Sequence, residues 1–242
     1  MILQLDIGNT RLKWRLVEGT EFVDGGAIVR GAGLNLPPLE QVPQQVWVAS
    51  VAGEEQAALL RQEFSGLDVW FARSAERACG VRNSYAQPQR MGVDRWLAML
   101  AAWNRAGDEV CVVDAGSALT IDFVSARGAH LGGYILPGLD SMERALLSDT
   151  DRVRFADAAR DNLAPGQSTE EAVYNGLLLS QAGAVALALD RVGHAGCLYF
   201  SGGNGAFLQA ALDRDGELAP DLVLDGLALL ANEELAHHPG QS

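Results

Sequence analysis

The 242-residue chain has few cysteines and histidines, the residues that form disulfides and zinc sites. Its three cysteines, Cys79, Cys111 and Cys197, lie far apart, with no Cys-x-x-Cys pair and no nearby histidine. This spacing disfavours both a disulfide framework and a zinc site. The four histidines show no ligand spacing either. We therefore expect all three cysteines to be small, buried side chains.

Long apolar runs are also missing. No run approaches the roughly 18 to 20 uninterrupted apolar residues that a membrane-spanning helix requires. Met1 leads directly into a strand-like run, with no basic segment or cleavage site. From these features we expect a cytoplasmic protein with no membrane partner.

Positive charge is scarce. The formal net charge is −13, and Lys13 is the only lysine among 18 basic residues. Such a charge repels phosphate backbones, so we expect no nucleic-acid partner. An anionic ligand such as ATP would need local cations or a metal ion. No Gly-Lys pair occurs, which excludes the P-loop as a route to ATP.

Strand-like runs alternate with helical patterns along the chain. Strands are expected at Ile2–Asp6, Leu12–Val17, Val46–Ser50, Leu67–Phe71, Val110–Asp114, Leu119–Ser125, His130–Leu136 and Cys197–Ser201. Helices are expected at Glu54–Phe64, Asp94–Arg105, Leu139–Leu147, Thr169–Val192, Ala206–Leu212 and Leu224–Ala236. The alternation predicts α/β layering. The helix Thr169–Val192 could pack in the core or across a two-fold axis, and we expect a mobile or interface-facing loop before it, between Ser148 and Ser168.

Two hairpin sequences repeat within the chain. LQLDIGNTRLKW (residues 3–14) and CVVDAGSALTID (residues 111–122) each place Asp-x-Gly and a small polar residue after an apolar strand, and a second strand follows at once. Asp6 and Asp114 are 108 positions apart, nearly half the chain. We therefore predict a duplicated domain, with halves at residues 1–108 and 109–242.

An Asp-x-Gly turn has the chemistry to bind phosphate and metal together. Glycine lets the backbone approach a phosphate closely, and successive N–H groups form an anion-binding concavity. The carboxylate can hold Mg²⁺ directly or through water. The alternative is that each turn only closes a β-hairpin. Two turns at equivalent places favour a functional role, and we expect them to face each other across a cleft.

Taken together, these motifs resemble those of the ASKHA superfamily of sugar kinases, actin and Hsp70. DIGNTRLKW would be the first phosphate motif, DAGSALTID the second, and SGGNG (201–205) the adenosine motif. More narrowly, the chain resembles the type III pantothenate kinases through DIGNT (6–10), GVDRW (92–96), DAGSALTID (114–122), GGYILPG (132–138) and TEEAVYNG (169–176). The resemblance implies a duplicated ribonuclease-H-like α/β fold with an interdomain cleft. It further implies a homodimer that phosphorylates pantothenate with ATP, using Mg²⁺ and a monovalent cation, K⁺ or NH₄⁺.

The resemblance also implies roles for individual residues. The ATP phosphates would be bound by Asp6, Ile7, Gly8, Asn9, Thr10, Arg11, Leu12 and Lys13. Asp6 would also hold Mg²⁺, directly or through water, while Ser117 would touch ATP and Asp114 would bind the monovalent cation. The family usually has threonine where this chain has Ser117, and the hydroxyl is retained. The pantothenate site would comprise Tyr85, Gly92, Val93, Asp94, Arg95 and Thr169.

Asp94 is our candidate catalytic base. Phosphoryl transfer needs positioning, charge neutralisation and a group that accepts the proton of the attacking hydroxyl. Asp94 also precedes an amphipathic run, so it could instead be an N-cap, and both roles could coexist. Arg95 suits an oxyanion of substrate or phosphate, or it is a solvated arginine.

Two further residues stay ambiguous from the sequence. Asp122 could be an acid that supports a site residue without contacting the ligand, or a plain strand-end residue. Lys13 should point away from Leu12 and Trp14, to a face that the sequence does not identify.

Two rival functions share these features. One is another small-molecule kinase or a phosphohydrolase of the same superfamily, which would have no reason to carry both GVDRW and TEEAVYNG. The other is a catalytically silent paralogue that binds nucleotide and regulates a partner, since a fold alone does not prove chemistry. The joint presence of Asp6, Asp94 and Asp114 argues against this second rival.

Overall fold

The computed structural model describes residues 1–30, 34, 36–39, 41–51, 53–148, 163–212 and 214–237. The strands are β1 Ile2–Ile7, β2 Arg11–Glu18, β3 Glu21–Val29, β4 Gln45–Ser50, β5 Asp68–Phe71, β6 Arg77–Ala78, β7 Val81–Arg82, β8 Val110–Ala115, β9 Ala118–Val124, β10 His130–Pro137, β11 Cys197–Ser201 and β12 Glu217–Leu218. The helices are α1 Glu54–Glu63, α2 Val93–Ala106, α3 Leu139–Ser148, α4 Thr169–Val192, α5 Gly205–Leu212 and α6 Leu222–His237, with a 3₁₀ turn at Pro88–Arg90. Residues 149–162, which carry most of the loop expected before α4, lie outside the described residues.

Two five-stranded sheets share one topology. Their strand orders are β3-β2-β1-β4-β5 and β10-β9-β8-β11-β12. In each, an antiparallel meander of three strands is followed by two strands that run parallel to its first strand. Equivalent positions in the two sheets therefore carry Asp6 and Asp114. This repeated topology confirms the duplication that the hairpin repeat predicts, in the ribonuclease-H-like α/β arrangement that the family resemblance implies.

The chain forms two units whose boundaries differ from the expected halves. The first comprises Met1–Arg105 together with the residues from Asp221 onward, and the second comprises Ala106–Pro220. The break near residue 108 is thus displaced by only a few positions. However, α6 belongs to the first unit, because it packs against β1 and β4. The sequence placed this helix in the second half, since nothing local to it shows which sheet it covers.

The two faces of the first sheet make different contacts: one is apolar and packs against α1, and the other makes polar contacts with α6. Leu3, Leu5 and Ile7 of β1 join a core with α1. On the other face, Gln4 accepts from Arg15 Nε at 2.8 Å, and Arg15 Nη1 donates to Asp225 of α6 at 2.7 Å. Both partners of the ion pair are partly exposed, so it contributes on the order of 1 kcal/mol. It fixes where α6 sits along the sheet.

The second unit has its core between the sheet and α4. Leu178, Val185 and Leu189 are buried against residues of β8, β9 and β11. By length and composition, α4 is the one helix in the described ranges that could cross a membrane, although 44% of its most apolar window is buried inside the protein. Leu179 and Leu187 of α4 are exposed. The helix therefore packs in the core and also has an outward apolar face.

Some local predictions were wrong. The strand β3 was missed because it is mostly exposed and its residues do not alternate between apolar and polar. The short strands β6, β7 and β12 have only two residues each and carry no periodic signal. Of the three cysteines, only Cys111 is buried; Cys79 is half-buried and Cys197 is exposed. Cysteine spacing disfavours disulfides, and all three cysteines are free, but the spacing carries no information about exposure.

Cys79 links the β6–β7 hairpin to α6. It has a positive φ of 47°, and its backbone N–H donates to the carboxylate of Glu233 at 2.8 Å. Burial, reinforced by the nearby Glu233 charge, raises the pKa of the Cys79 thiol to about 12. The thiol is therefore neutral at physiological pH and acts as a packing group. This anchored hairpin leads directly into the segment that carries Tyr85.

Close packing between α2 and α6 predicts an effect on stability. A β-carbon at Gly226 of α6 would collide with the backbone carbonyl of Leu97 in α2. We expect Gly226→Ala to lower the free energy of unfolding by about 1–3 kcal/mol, as overpacking does. The control is Gly183→Ala in α4, where an added β-carbon has open space and alanine should stabilise by about 1 kcal/mol. Thermal unfolding measures both, and a stabilised Gly226→Ala variant would contradict the packing.

Candidate active site

The first Asp-x-Gly hairpin connects β1 and β2 through a three-residue turn. The backbone N–H of Gly8 donates to the Arg11 carbonyl at 3.0 Å, and the guanidinium of Arg30 donates to the Gly8 carbonyl at 2.9 Å. A β-carbon at Gly8 would lie 3.2 Å from the Arg11 oxygen, so the turn is tight. Asn9, Thr10 and Arg11 are exposed. The turn therefore presents its polar groups outward from a fixed backbone.

Lys13 lies directly opposite Asp6 in the β1–β2 ladder. Opposed residues of an antiparallel pair project from the same face of the sheet. Leu12 and Trp14, its neighbours along the strand, are buried in the core on the other face. The expected alternation is thus confirmed, and the face that the sequence left open is the one that bears Asp6. The only lysine and the motif carboxylate are side by side.

The second hairpin differs from the first at two points. It connects β8 and β9 through a two-residue turn, in which the Gly116 N–H donates to the Ala118 carbonyl at 2.9 Å. Asp114 is opposite Thr120, where the first hairpin has lysine. Ser117 is exposed at the tip of the turn. The second hairpin therefore offers a carboxylate and hydroxyl groups, without a cation of its own.

The glycine-rich turn after β11 packs directly against the second hairpin. The backbone N–H of Asn204 donates to the Ala115 carbonyl at 3.0 Å. Gly202 has a positive φ of 79°, and a β-carbon there would collide with Asp114 Oδ1 and the Ala115 carbonyl. On another side, the Gly138 N–H donates to the Ser117 carbonyl at 3.2 Å. Three motifs that are distant in the sequence thus meet around Asp114.

Gly202 allows a direct test of this arrangement. We expect Gly202→Ala to weaken binding of Mg-ATP by roughly tenfold, because the new methyl group displaces the Asp114 carboxylate. Gly193→Ala is the matched control, since Gly193 also has a positive φ, of 68°, but open space around it. Calorimetric titration measures both affinities. Equal affinities for the two variants would show that the contact with Asp114 has no role in binding.

Asp94 is the second residue of α2, within its first turn. Its Oδ1 accepts the backbone N–H of Arg95 at 2.8 Å. A β-carbon at Gly92 would lie 2.5 Å from the same oxygen, so glycine leaves room for the carboxylate. Asp94 is therefore not the N-cap residue, although it does satisfy one N–H at the helix start. Its Oδ2 makes no hydrogen bond within the residues that the structure describes.

Arg95 is buried rather than solvated, which corrects one of the two sequence interpretations. Only 7% of the residue is exposed, and its Nη1 donates to the Tyr85 hydroxyl at 2.9 Å. Its guanidinium carbon also lies 5.8 Å from the centre of the Tyr85 ring. A buried guanidinium requires such partners. Arg95 and Tyr85, ten residues apart, are thus held together beside Asp94.

Asn83 is a residue of this site that sequence reasoning missed. It is 5% exposed, and its Oδ1 accepts the backbone N–H of Tyr85 at 2.9 Å. Its Nδ2 donates to the Ala75 carbonyl at 3.3 Å and approaches Met91 Sδ at 3.5 Å. One amide therefore ties Tyr85 to two other segments of the first unit. The available signal was a lone asparagine two residues before the tyrosine, in an Asx-turn spacing.

We predict that Asn83→Ala lowers the free energy of unfolding by about 1–3 kcal/mol, because it leaves buried donors and acceptors unsatisfied. Asn104→Ala is the control. The Asn104 amide also donates to two carbonyls, those of Cys79 and Leu100, but the residue is exposed. Its loss should cost less than about 1 kcal/mol. Urea unfolding compares the two, and equal losses would refute the special role of the buried amide.

Asp122 lies inside the second unit, away from solvent. It is 1% exposed and its Oδ1 lies 3.2 Å from His130 Nε2 on β10. It also helps to raise the pKa of the buried Cys111 thiol, which burial raises most. Asp122 is therefore neither a strand-end residue nor in contact with solvent. The pair joins β9 to β10 next to a register shift between His130 and Gly132.

The residues expected to bind the acceptor line different cavities. Gly92 and Val93 line one of about 400 Å³ at the ends of β4 and β5. Tyr85 lines another of about 430 Å³. Thr169 belongs to the second unit, where it is exposed at the first position of α4. The N-cap of that helix is Ser168, whose hydroxyl accepts from the Glu171 N–H.

The acidic residues fit a metal that is shared with substrate phosphates. No group of three or more His, Cys, Asp or Glu side chains that could hold a metal ion occurs in the described parts of the chain. Mg²⁺ is typically held by one or two carboxylates together with substrate phosphates and water. Asp6 can serve in this way, and Asp114 can hold a second cation. An all-protein metal cage is not formed among these residues.

Known proteins resemble this chain over most of its length. A family model described as type III pantothenate kinase matches residues 2–191. The type III pantothenate kinase of Alcanivorax borkumensis is 40% identical over 243 residues, covering 96% of this chain and 98% of that protein. That of Marinobacter nauticus is 38% identical over 239 residues, with coverage of 96% and 98%.

Solved structures show the same fold at lower identity. A Campylobacter jejuni protein named for the Baf family of transcriptional activators has a TM-score of 0.65 at 24% identity, covering 97% of this chain and 99% of that one. The activator of 2-hydroxyisocaproyl-CoA dehydratase from Clostridium difficile, with ADPNP bound, has a TM-score of 0.55 at 14% identity, covering 100% and 98%. These likenesses confirm the predicted fold class.

Proposed function

The chain belongs to the type III pantothenate kinase family, and we propose that it transfers the γ-phosphoryl group of ATP to pantothenate. The product is 4′-phosphopantothenate, and the reaction is the first step of coenzyme A biosynthesis. The geometry at Asp94 carries this proposal. One carboxylate oxygen is fixed by the helix backbone, the other is not hydrogen bonded within the described chain, and Tyr85 and Arg95 are held alongside.

In this proposal the first hairpin binds the phosphates of the nucleotide. Residues 6–13 supply backbone N–H groups, the Lys13 ammonium and the Asp6 carboxylate to the phosphates and to Mg²⁺. Ser117 contacts ATP through its hydroxyl. When bound there, Mg²⁺ would lower the charge repulsion between the phosphates and the attacking oxygen. The position of Lys13 opposite Asp6 supports this role, because it places a cation where the net charge of the chain would otherwise repel ATP.

Asp114 binds the activating monovalent cation, K⁺ or NH₄⁺. The support is its surroundings: an opposed threonine, two nearby turns with backbone carbonyls, and no lysine at the position equivalent to Lys13. Oxygen ligands of this kind suit a large, weakly hydrated cation. Because Gly202 has no side chain, it leaves room for the Asp114 carboxylate and the Ala115 carbonyl.

The acceptor reacts at its primary alcohol. Asp94 receives the hydroxyl proton as the oxygen attacks the γ-phosphorus, the bond from that phosphorus to the β–γ bridging oxygen breaks and ADP leaves; this is a general-base role. Gly92 and Val93 form the backbone wall beside it, and Arg95 holds Tyr85 in place. Thr169 is our remaining candidate for the acceptor site. Its exposure at the start of α4 leaves its hydroxyl accessible.

We also propose a cytoplasmic homodimer with no nucleic-acid or membrane partner. Apolar side chains are exposed on β10 and α4, namely Leu131, Tyr134, Ile135, Leu179 and Leu187. Exposed apolar side chains support an interaction surface, and a second copy of the chain is the partner that the family suggests. The charge of −13 opposes binding to nucleic acid. The partial burial of α4 in the second core supports a helix of the folded unit over a membrane span.

A coupled assay with pantothenate, Mg-ATP and K⁺ tests the function. We expect turnover with pantothenate, and a large loss when Na⁺ replaces K⁺. Turnover with other acceptors but not with pantothenate would favour another kinase of the superfamily. Nucleotide binding without any turnover would favour a regulatory paralogue.

For the base itself, Asp94→Asn should lower kcat by a factor of order 10² to 10⁴, because the amide cannot accept the proton. Asp140→Asn is the matched control, since Asp140 is likewise the second residue of a helix, α3, and is exposed. Its kcat should stay close to that of the wild type. Steady-state kinetics of both variants decide the point, and a near-normal rate for Asp94→Asn would reduce Asp94 to a helix-stabilising acid.

A further inference from the structure

Arg30, the residue that follows β3, contacts the first Asp-x-Gly hairpin at two points. Its backbone N–H donates to the Thr10 carbonyl at 2.9 Å. Its guanidinium Nη1 donates to the Gly8 carbonyl, also at 2.9 Å, from a position 22 residues further along the chain. The main chain of Arg30 thus extends the contact between β2 and β3, and its side chain reaches the carbonyl at the start of the turn.

Both backbone groups of Gly8 are engaged within the first unit. Its N–H donates to the Arg11 carbonyl at 3.0 Å, and its carbonyl accepts from Arg30. Glycine has no side chain to restrict its backbone angles, so hydrogen bonds must fix the plane of the peptide that follows it. The Arg30 side chain supplies this constraint on the carbonyl side.

The peptide between Gly8 and Asn9 turns its N–H away from Arg30. This peptide is trans and planar, so its carbonyl and its N–H point in opposite directions. Because Arg30 holds the carbonyl on one side, the Asn9 N–H lies on the other. Within the described residues this N–H donates to no group, and Asn9 is exposed. An exposed N–H of fixed direction is the kind of donor with which a tight turn binds an anion.

We propose that Arg30 is a positioning residue for ATP: it holds the peptide after Gly8 so that the Asn9 N–H points at a phosphate oxygen. The inference rests on the proposed function, in which the first hairpin binds the phosphates of the nucleotide. It adds a residue that lies outside the hairpin motif, at the end of a third strand. A donor that is already oriented lowers the entropic cost of binding and needs no reorganisation during phosphoryl transfer.

Arg30 has a second property that bears on ATP, which is its charge. The residue is half-buried and pairs with no carboxylate in the described part of the chain. A cation near the hairpin attracts phosphates without orienting any N–H. The hydrogen bond acts on one peptide, whereas the charge acts through space and is screened by salt. The two effects can therefore be separated by the salt dependence of binding and by the state of the Asn9 amide.

The Arg30→Met variant loses the side-chain donor and keeps much of the side-chain volume. We expect it to bind Mg-ATP about tenfold more weakly, as follows from the loss of one charged hydrogen bond. The KM for pantothenate should change less than about twofold. Calorimetric titration, steady-state kinetics and thermal unfolding of the full chain measure the two constants and establish that the variant is folded. Equal losses for ATP and pantothenate indicate a general structural role and overturn the proposal.

Arg127→Met is the matched control. Arg127 is an exposed arginine of the second unit, in the turn between β9 and β10, so its loss removes an equal charge from the chain. We expect the affinity for Mg-ATP and the KM for pantothenate to stay at the wild-type values. A loss of ATP affinity equal to that of Arg30→Met would assign the effect to net charge and contradict the proposed role.

The amide resonance of Asn9 reports on the peptide directly. In the wild type it should shift when Mg-ATP is added; in Arg30→Met it should already differ in the free protein and respond less to Mg-ATP. The amides of Leu3 and Leu16, in the flanking strands, should be alike in both proteins. An Asn9 amide that is identical in the two free proteins refutes the positioning role. So does a ratio of wild-type to variant affinity that falls towards one between about 0.05 and 0.5 M salt, because screening weakens a charge effect.

Measurements on the wild type separate this inference from the proposed function. If the wild type binds Mg-ATP and phosphorylates pantothenate, and Arg30→Met matches it in both, the role of Arg30 alone is refuted. If the wild type binds Mg-ATP without turning over pantothenate, the proposed function is refuted, and the ATP affinities and the Asn9 amide still decide the role of Arg30. If the wild type does not bind Mg-ATP, both are refuted.

Discussion

The register of two antiparallel hairpins is the constraint on which the candidate site depends. Side chains alternate between the faces of a strand, so a shift of one residue would exchange the two faces. In β1, such a shift would turn Gln4 and Asp6 towards the apolar core and move Leu3, Leu5 and Ile7 to the opposite face of the sheet. The apolar core therefore holds Asp6 opposite Lys13. Packing and chemistry are specified by the same pattern of residues.

Duplication gives two hairpins of one topology, but their surroundings differ. The first pairs its carboxylate with lysine, and the Gly8 carbonyl is held by Arg30. The second pairs its carboxylate with threonine and is enclosed by Gly138 and Gly202. Positive charge suits a polyanion, whereas a carboxylate among carbonyl and hydroxyl oxygens suits a small cation. The proposed division between phosphate binding and cation binding follows from these neighbours.

Sequence patterns predicted the parts of the structure that are encoded locally. Buried strands and amphipathic helices were found within one or two residues, and α4 and β11 have the bounds that were predicted. The edge strand β3 was missed because an exposed edge strand does not require alternating apolar and polar residues. The placement of α6 in the first unit depends on contacts such as Arg15–Asp225, which join residues 210 positions apart. No local signal reports such a contact.

The candidate site shows the same division between local and distant information. Asp6, Asp94 and Asp114 stand in short motifs and were identified as candidates from the sequence. Asn83 acts through a buried amide whose partners come from three segments, and its position two residues before Tyr85 is only a weak signal in the sequence. The burial of Arg95 likewise depends on a contact with Tyr85, which is ten residues away in the sequence. Residues that position others are therefore harder to find than residues that carry charge into a site.

The distribution of charge explains how an acidic protein can take anionic ligands. Arg15 and Arg105 both contact Asp225 of α6, so their charge is balanced inside the first unit. Arg73 and Arg90 have no such partner in the described chain and lie at the carboxyl ends of the parallel strands. Cations without an ion-pair partner dominate the electrostatic potential near them, because salt screens charges that are more than roughly 8–10 Å away. An edge of the sheet with such cations can therefore attract a small anion even though the net charge of the chain is negative.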